Sequence, residues 1–292
     1  MNWFLLASLS AVFSAVSTLF EKRSLFIMRA LDFSFLVSIF GFLFSIPFFF
    51  QIDFGNLNTV SLAILFVKSV LGAMAFLSVM MSLKNLEISK ALPLLALSPG
   101  VVALFAFILL GETLSLKEVI GMFLLLVGTY ILETKPVQTF FEPFHVFFRS
   151  KDYRYIILAL LLFTATSIMD KLLLKQYKLP PIDFMAFQQF FFAIIFSVIS
   201  FVAFKRTGSG IKSIDKKLLL FVIAVALLTV GYRYTQIQAV KIAPVSLVLA
   251  VKRTSVFFAA IIGGKLFNEG NLVKKAIAAA IIVGGSMLIL QE

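Results

Sequence analysis

The chain of 292 residues has no cysteine and a single histidine, His145. Without cysteine there is no disulfide framework, no thiolate nucleophile and no cysteine-bound metal; one histidine leaves no His-rich metal site and no histidine proton relay. Charge is also scarce. Asp, Glu, Lys and Arg make up 14% of the residues, where a soluble domain carries about 25%. The hydrophobic share is 61%, with 36 Phe, and the mean hydropathy is +1.06. That balance excludes a water-soluble enzyme, and it excludes disorder, which needs low hydrophobicity. The few charges lean one way, with 26 basic residues against 14 acidic and a net charge of +12. Nucleic acid would be the obvious partner for a soluble chain of this kind. In a membrane protein the same excess gathers in cytoplasmic loops, so the placement of the cations decides between the two.

Ten apolar stretches are present, at 2–20, 32–50, 60–83, 90–110, 116–133, 154–174, 182–204, 217–240, 243–264 and 273–290. Each is near the roughly 20 residues that a helix needs to cross hydrocarbon. The first lacks a basic leader region and has a matching partner later in the chain, so it reads as a helix that stays, not as a cleaved signal peptide. The longest connection, 134–153, holds Lys135, Pro136, Pro143, His145, Arg149 and Lys151 and reads as a linker.

The stretches repeat. Phe20-Glu21-Lys22 matches Met169-Asp170-Lys171, and Asp32-Phe33 matches Asp183-Phe184. Lys84 matches Lys241, Ser89 matches Ser246, Gly111-Glu112 matches Asn268-Glu269, and Gly128 matches Gly285. The matched positions are mostly polar residues and glycine, which apolar composition alone does not align. The expected fold is therefore an all-α integral membrane protein of ten transmembrane helices in two five-helix repeats, residues 1–133 and 154–292. Five is odd, so the second repeat enters from the opposite side. Inverted repeats are what secondary transporters use to alternate access around a midplane site.

The cations sort by face. Five fall on the face of the N-terminus (Lys117, Lys171, Lys175, Lys178, Lys241) and seventeen on the opposite face. The positive-inside rule makes the opposite face cytoplasmic and leaves both termini extracytoplasmic. Topology thus accounts for the basic excess without nucleic acid, although a basic face also attracts anionic lipid.

Four cations remain inside apolar runs: Lys68, Arg233, Lys252 and Arg253. A charge at mid-bilayer costs at least about 2.5–3.5 kcal/mol and normally faces a bundle interior or a wet cavity. The acids Glu21, Glu87, Asp170 and Asp183 all stand near the ends of their runs. Unmatched positive charge at depth suggests that an anionic solute supplies the counter-charge. The alternative is that backbone carbonyls, or a distant carboxylate folded alongside, hold the cations. Arg offers a planar fork for carboxylate or phosphate and Lys a point charge. Tyr232 and Tyr234 flank Arg233 and add neutral donors, and Gln236 shares a helix face with Tyr232. Gln188 and Gln189 are further candidates to line a cavity, or to bond between helices. Lys252 and Arg253 are adjacent, so their side chains diverge by about 100°. The pairs Glu21-Lys22 and Asp170-Lys171 are expected to act as gates, coupling sites or plain helix-end anchors, one per face. Pro93, Pro99 and Pro244 and the many glycines read as kinks and close-packing devices.

One set of residues resembles a known family. Leu97-Ser98-Pro99, then Leu109-Leu110-Gly111-Glu112-Thr113-Leu114, then Gly121 and Gly128, resembles the repeat signature of the EamA-like proteins of the drug/metabolite transporter superfamily. The second copy is weaker: Val256 stands for the proline and Asn268 for the glycine, while Glu269 and Gly285 remain. The resemblance implies ten helices, an inverted repeat, a central cavity and no ATP hydrolysis. Val251-Lys252-Arg253-Thr254-Ser255-Val256 also resembles the Lys-Arg segment of the ninth helix of plastid triose-phosphate translocators, which implies a phosphate- or anion-binding role for Lys252 and Arg253. Characterised relatives keep both termini in the cytoplasm, against the charge count here.

The expected function is a secondary transporter of a small organic metabolite, anionic or zwitterionic. A drug or cation exporter is the first alternative, but that chemistry wants a buried carboxylate where this chain has cations. A non-transporting scaffold or lipid scramblase is the second. An intramembrane enzyme would need paired acids, a His/Asp site or a metal, and no such constellation stands in the sequence. No P-loop is present. The implied partners are a small solute and the lipid bilayer. No nucleic acid, metal or cofactor is called for, and the chain is expected to act as a monomer, with a dimer as the alternative.

Overall fold

A computed structural model describes residues 2–85, 98–133, 153–207, 215–255 and 272–290. Among them are ten α-helices: α1 (Trp3–Leu25), α2 (Ala30–Phe49), α3 (Thr59–Asn85), α4 (Ser98–Leu110), α5 (Leu116–Glu133), α6 (Tyr153–Lys175), α7 (Pro181–Thr207), α8 (Lys216–Ile242), α9 (Val245–Arg253) and α10 (Leu272–Leu290). A short 3-10 turn, Phe54–Asn56, follows α2. Among the described residues there is no strand, and six helices are long and apolar enough to cross a membrane. Each helix falls on one of the ten apolar stretches. The linker 134–152, Glu87, Ser89, Pro93, Val256, Gly263, Gly264, Asn268 and Glu269 lie outside the described residues.

Local chemistry sets the helix boundaries. The Asn2 side chain accepts the Phe4 N–H at 3.1 Å and caps α1. α4 stops because Gly111 takes a left-handed backbone conformation, φ +64°, which costs glycine nothing. The N–H groups of Gly111 and Glu112 then close on the carbonyls of Phe107 and Ala106. α5 opens with a reciprocal capping box: the Ser115 N–H donates to Glu118 Oε2 and the Glu118 N–H to Ser115 Oγ. Within the helices several small hydroxyls turn back on their own backbone, as Thr18 does on Ser14 and Ser34 on Ala30. A hydroxyl satisfied in this way can stand in an apolar helix at little cost.

The helices pack in exchangeable pairs. α1 lies along α8 and α3 along α6; α8 meets α2 and α3 meets α7; α1 meets α9 and α6 meets α4. Renaming the five helices of one half as those of the other turns each of these contacts into its partner. The contacts α2–α7, α4–α9 and α5–α10 map onto themselves. The α5–α10 crossing is the tightest. A Cβ on Gly121 would meet the Gly285 carbonyl at 2.7 Å, and a Cβ on Gly128 would meet Ile282 at 2.7 Å.

Two buried apolar clusters hold the bundle. The larger sits toward the end where α1 begins and joins Leu6, Leu65, Leu125, Leu173, Phe184, Ile237, Leu247 and Ile282. The smaller, with Leu25, Phe33, Met80 and Val222, sits at the other end between α1, α2, α3 and α8. Apolar side chains such as Leu104, Phe107, Ile108, Phe123, Val198 and Phe201 face outward, as lipid requires.

Candidate functional site

Between the two clusters lies a cavity of about 210 Å³. Eight helices line it. α2 gives Ser34, Ser38 and Gly41; α3 gives Lys68, Gly72 and Phe76; α6 gives Phe163, Thr166, Ser167 and Asp170. From α7 come Gln188, Gln189, Phe192 and Phe196; from α8, Thr229, Tyr232, Arg233 and Gln236; from α9, Leu249, Lys252 and Arg253. Ser14 of α1, with Ser98 and Val102 of α4, completes most of the wall.

A buried ionic network crosses this space. Lys68 Nζ lies 2.8 Å from Asp170 Oδ1, near enough for an ion pair but out of line for a hydrogen bond. The same ammonium donates to Gln188 Oε1 at 2.8 Å and stands 4.8 Å above the Phe184 ring. Arg233 Nη2 donates to Asp170 Oδ2 at 3.3 Å and to Gln188 Oε1 at 3.0 Å. Asp170 thus stands between two cations, with side-chain exposures of 3% for Lys68, 4% for Asp170 and 17% for Arg233. This answers the expectation of unmatched charge for two of the four cations. A distant carboxylate folded alongside does hold Lys68 and Arg233.

Lys252 is held differently. Its Nζ donates to Gln236 Oε1 at 2.6 Å and stands 4.4 Å above the Tyr232 ring. Both partners are neutral dipoles, which steady a cation without cancelling it. Arg253 donates from Nε and Nη2 to Ser98 Oγ at 3.1 and 2.8 Å. The adjacent cations therefore diverge, Lys252 toward α8 and Arg253 toward α4. Among the described residues, four cations and one carboxylate, Asp170, stand in the wall.

The sequence candidates are distributed as follows. Lys68, Gln188, Gln189, Tyr232, Arg233, Gln236, Lys252 and Arg253 line the cavity, and so does Asp170, which had been grouped with the gates. Tyr234 does not. Its ring stacks on Phe48 at 5.6 Å and its hydroxyl accepts a hydrogen bond from Gln238, because it points some 200° around α8 from Tyr232. Glu21 is buried and accepts a hydrogen bond from Ser17 Oγ at 2.7 Å, while Lys22 is exposed. The Asp170-Lys171 pair is not a local couple. Adjacent helical residues point about 100° apart, so Asp170 turns to the cavity and Lys171 turns away.

Lys171 finds partners that the sequence did not announce. Its Nζ donates to the carbonyls of Val240 and Ala243 at 2.9 and 2.6 Å, and lies 3.3 Å from Glu112 Oε1. Glu112 Oε2 accepts the Val245 N–H at 3.1 Å. One buried ion pair thereby ties the end of α6, the α4–α5 turn and the start of α9. The aromatic wall was also missed. Phe76 continues the face of Lys68 and Gly72, and Phe192 and Phe196 continue the face of Gln188. Extending each polar anchor by four and eight residues along its helix would have found them.

Comparison with known proteins then places the chain. The sequence profile of the EamA-like transporter family matches residues 1–134 and 152–291. The chain belongs to the EamA-like transporter family. It is thus a multi-pass membrane protein of a family that moves small molecules, as the signature around Gly111-Glu112 implied. A solved structure described as "Crystal structure of protein" matches with a TM-score of 0.75 and 16% identity, covering 98% of this chain and 96% of its own. At that identity the likeness speaks for the fold alone. No curated protein matches the sequence.

Proposed function

We propose that this EamA-family protein is a secondary transporter of a small organic metabolite that carries negative charge, an organic acid, a phosphorylated compound or an amino acid. Residues 1–133 and 154–292 act as two inverted five-helix repeats that rock around the central cavity. The exchangeable helix contacts support the repeat reading, since a two-fold relation between halves generates contacts of that form. The five-to-seventeen distribution of cations supports a topology with both termini extracytoplasmic.

The observation that carries the functional reading is the cavity wall. Lys68 and Arg233 share one lining carboxylate, Asp170, and Lys252 rests on neutral groups among its hydrogen-bond and ring partners. An intramembrane cation held this way lowers its cost when an anion arrives. The cavity also suits a metabolite more than a drug, because drug-sized pockets run to about 300–1,000 Å³. Export of an organic cation would need a carboxylate open to it, and Asp170 is engaged on both oxygens.

The test is flux into proteoliposomes loaded from a panel of metabolite anions. Saturable uptake is expected for at least one. Lys252→Gln and Arg233→Gln should each cut that uptake by about tenfold or more, the effect of losing one charge-assisted contact of about 1.5–3 kcal/mol, while the variants remain monodisperse in detergent. Normal transport by both variants would overturn the anion site.

A further inference from the structure

From the chemistry of the cavity walls we infer that the solute is an amphipathic organic acid: one anionic head, no ammonium group, and an apolar body of about the size of a phenyl ring. This deepens the proposed function and rests on it.

The cavity is two-faced. Its aromatic residues apart from Tyr232 are Phe76, Phe163, Phe192 and Phe196, and all four come from α3, α6 and α7. Three of them form a connected surface, with ring centroids 6.2 Å apart for Phe76–Phe196 and for Phe192–Phe196. Gly72 leaves the room for it: a Cβ there would stand 3.1 Å from Phe192 Cζ. Lys252, whose hydrogen-bond and ring partners are neutral, comes from α9, and Gln236 and Tyr232 of α8 hold its ammonium. A small dianion would satisfy the second wall and leave the first wet and unused. An apolar solute would satisfy the first and leave Lys252 with neutral partners alone. A single anionic head on an apolar body satisfies both.

The carboxylate in the wall settles the question of an ammonium group. Lys68 and Arg233 occupy the two oxygens of Asp170 at 2.8 and 3.3 Å. With Asp170 already paired to two cations, an α-amino group entering the cavity would find no uncompensated carboxylate among the described lining residues and would sit among several like charges. The site selects against zwitterions, and so against free amino acids, in favour of the corresponding acid.

The test uses the full-length protein in proteoliposomes and four probes: 3-phenylpropanoate, phenylalanine, succinate and phenethylamine. They represent an apolar body with a carboxylate, the same with an added ammonium, carboxylates without the body, and the body with a cation alone. The expected order places 3-phenylpropanoate first, by about tenfold in KM or in inhibition constant over each of the others, the factor that one lost contact of about 1.4 kcal/mol produces. Phe192→Ala should raise the constant for 3-phenylpropanoate more than that for succinate, by about fivefold for a lost aromatic contact. Phe192→Leu keeps most of the packing against Gly72 and should show the same bias in smaller degree. If succinate equals or exceeds 3-phenylpropanoate, or if both Phe192 variants weaken the two acids alike, the apolar wall is not a solute surface and the inference fails, while the anion-transport reading stands. If phenylalanine matches 3-phenylpropanoate, the exclusion of ammonium fails. If folded protein neither carries nor binds any anion, the proposed function itself falls and this inference falls with it.

Discussion

Asp170 is the residue on which the site turns. Among the described residues it is the one carboxylate in a wall with four cations, and it is buried. Replacing it with asparagine leaves Lys68 and Arg233 facing a neutral amide. Removing one partner of a buried pair costs about 3–5 kcal/mol, because the remaining charge stays buried and uncompensated. Asp170→Asn should therefore lower the melting temperature of the detergent-solubilised protein by several degrees, and Lys68→Met in the same chain should recover part of the loss. A melting temperature unchanged by Asp170→Asn would show that the pair contributes nothing in this fold. The sequence marked Asp170 as unusual but misplaced its allegiance. A charge in an apolar run is conspicuous, and Lys68, Arg233 and Lys252 all stood out for that reason. Which charge meets which is another matter, since Lys68 and Asp170 are about a hundred residues apart and only helix packing joins them. Phenylalanine is the opposite case. With 36 in the chain, one that faces a cavity has nothing to distinguish it from one that faces lipid.

At the scale of helices, the ten described helices could be read because each falls in an apolar run of about the length of the bilayer, bounded by charge, glycine or proline. Crossing geometry could be read only in part. Glycines were expected as close-packing devices, yet the glycines of one helix differ sharply in what they do. In the α5–α10 crossing, Gly121 and Gly285 approach so closely that a Cβ on either would meet the other's carbonyl at 2.7 Å. Gly284, one position earlier, has nothing within 4 Å of its place for a Cβ. Gly121→Ala should cost about 1–3 kcal/mol by overpacking and lower the melting temperature. Gly284→Ala should be neutral or stabilising by up to about 1 kcal/mol, because alanine favours the helix over glycine. Equal effects from both substitutions would mean that α5 and α10 do not cross at these positions.

At the scale of the whole molecule, the two ends of the bundle are not alike. Toward the end where α1 begins, the larger cluster packs nine helices together, and Lys171 and Glu112 bind α6, the α4–α5 turn and α9 into one unit. Lys22, the residue that matches Lys171 in the first half, is exposed. Under the proposed rocking of two halves one side must open, and the Glu112–Lys171 pair is a polar tie that opening on this side would break. The absence of cysteine makes this directly testable, because every introduced thiol is unique. Lys178→Cys, exposed beyond α6, should react with an impermeant maleimide added outside intact cells, as the charge distribution requires. Ser38→Cys, buried in the cavity wall, should be protected from the same reagent. Adding Glu112→Gln should raise labelling at position 38 by about tenfold or more, since losing about 1.4 kcal/mol from the closed side already shifts a two-state balance that far. Labelling at position 178 should stay constant and serve as the internal control. A Ser38→Cys protein that labels equally with and without Glu112→Gln would show that the pair is only an anchor, and a Lys178→Cys protein silent from outside would turn the molecule over in the membrane.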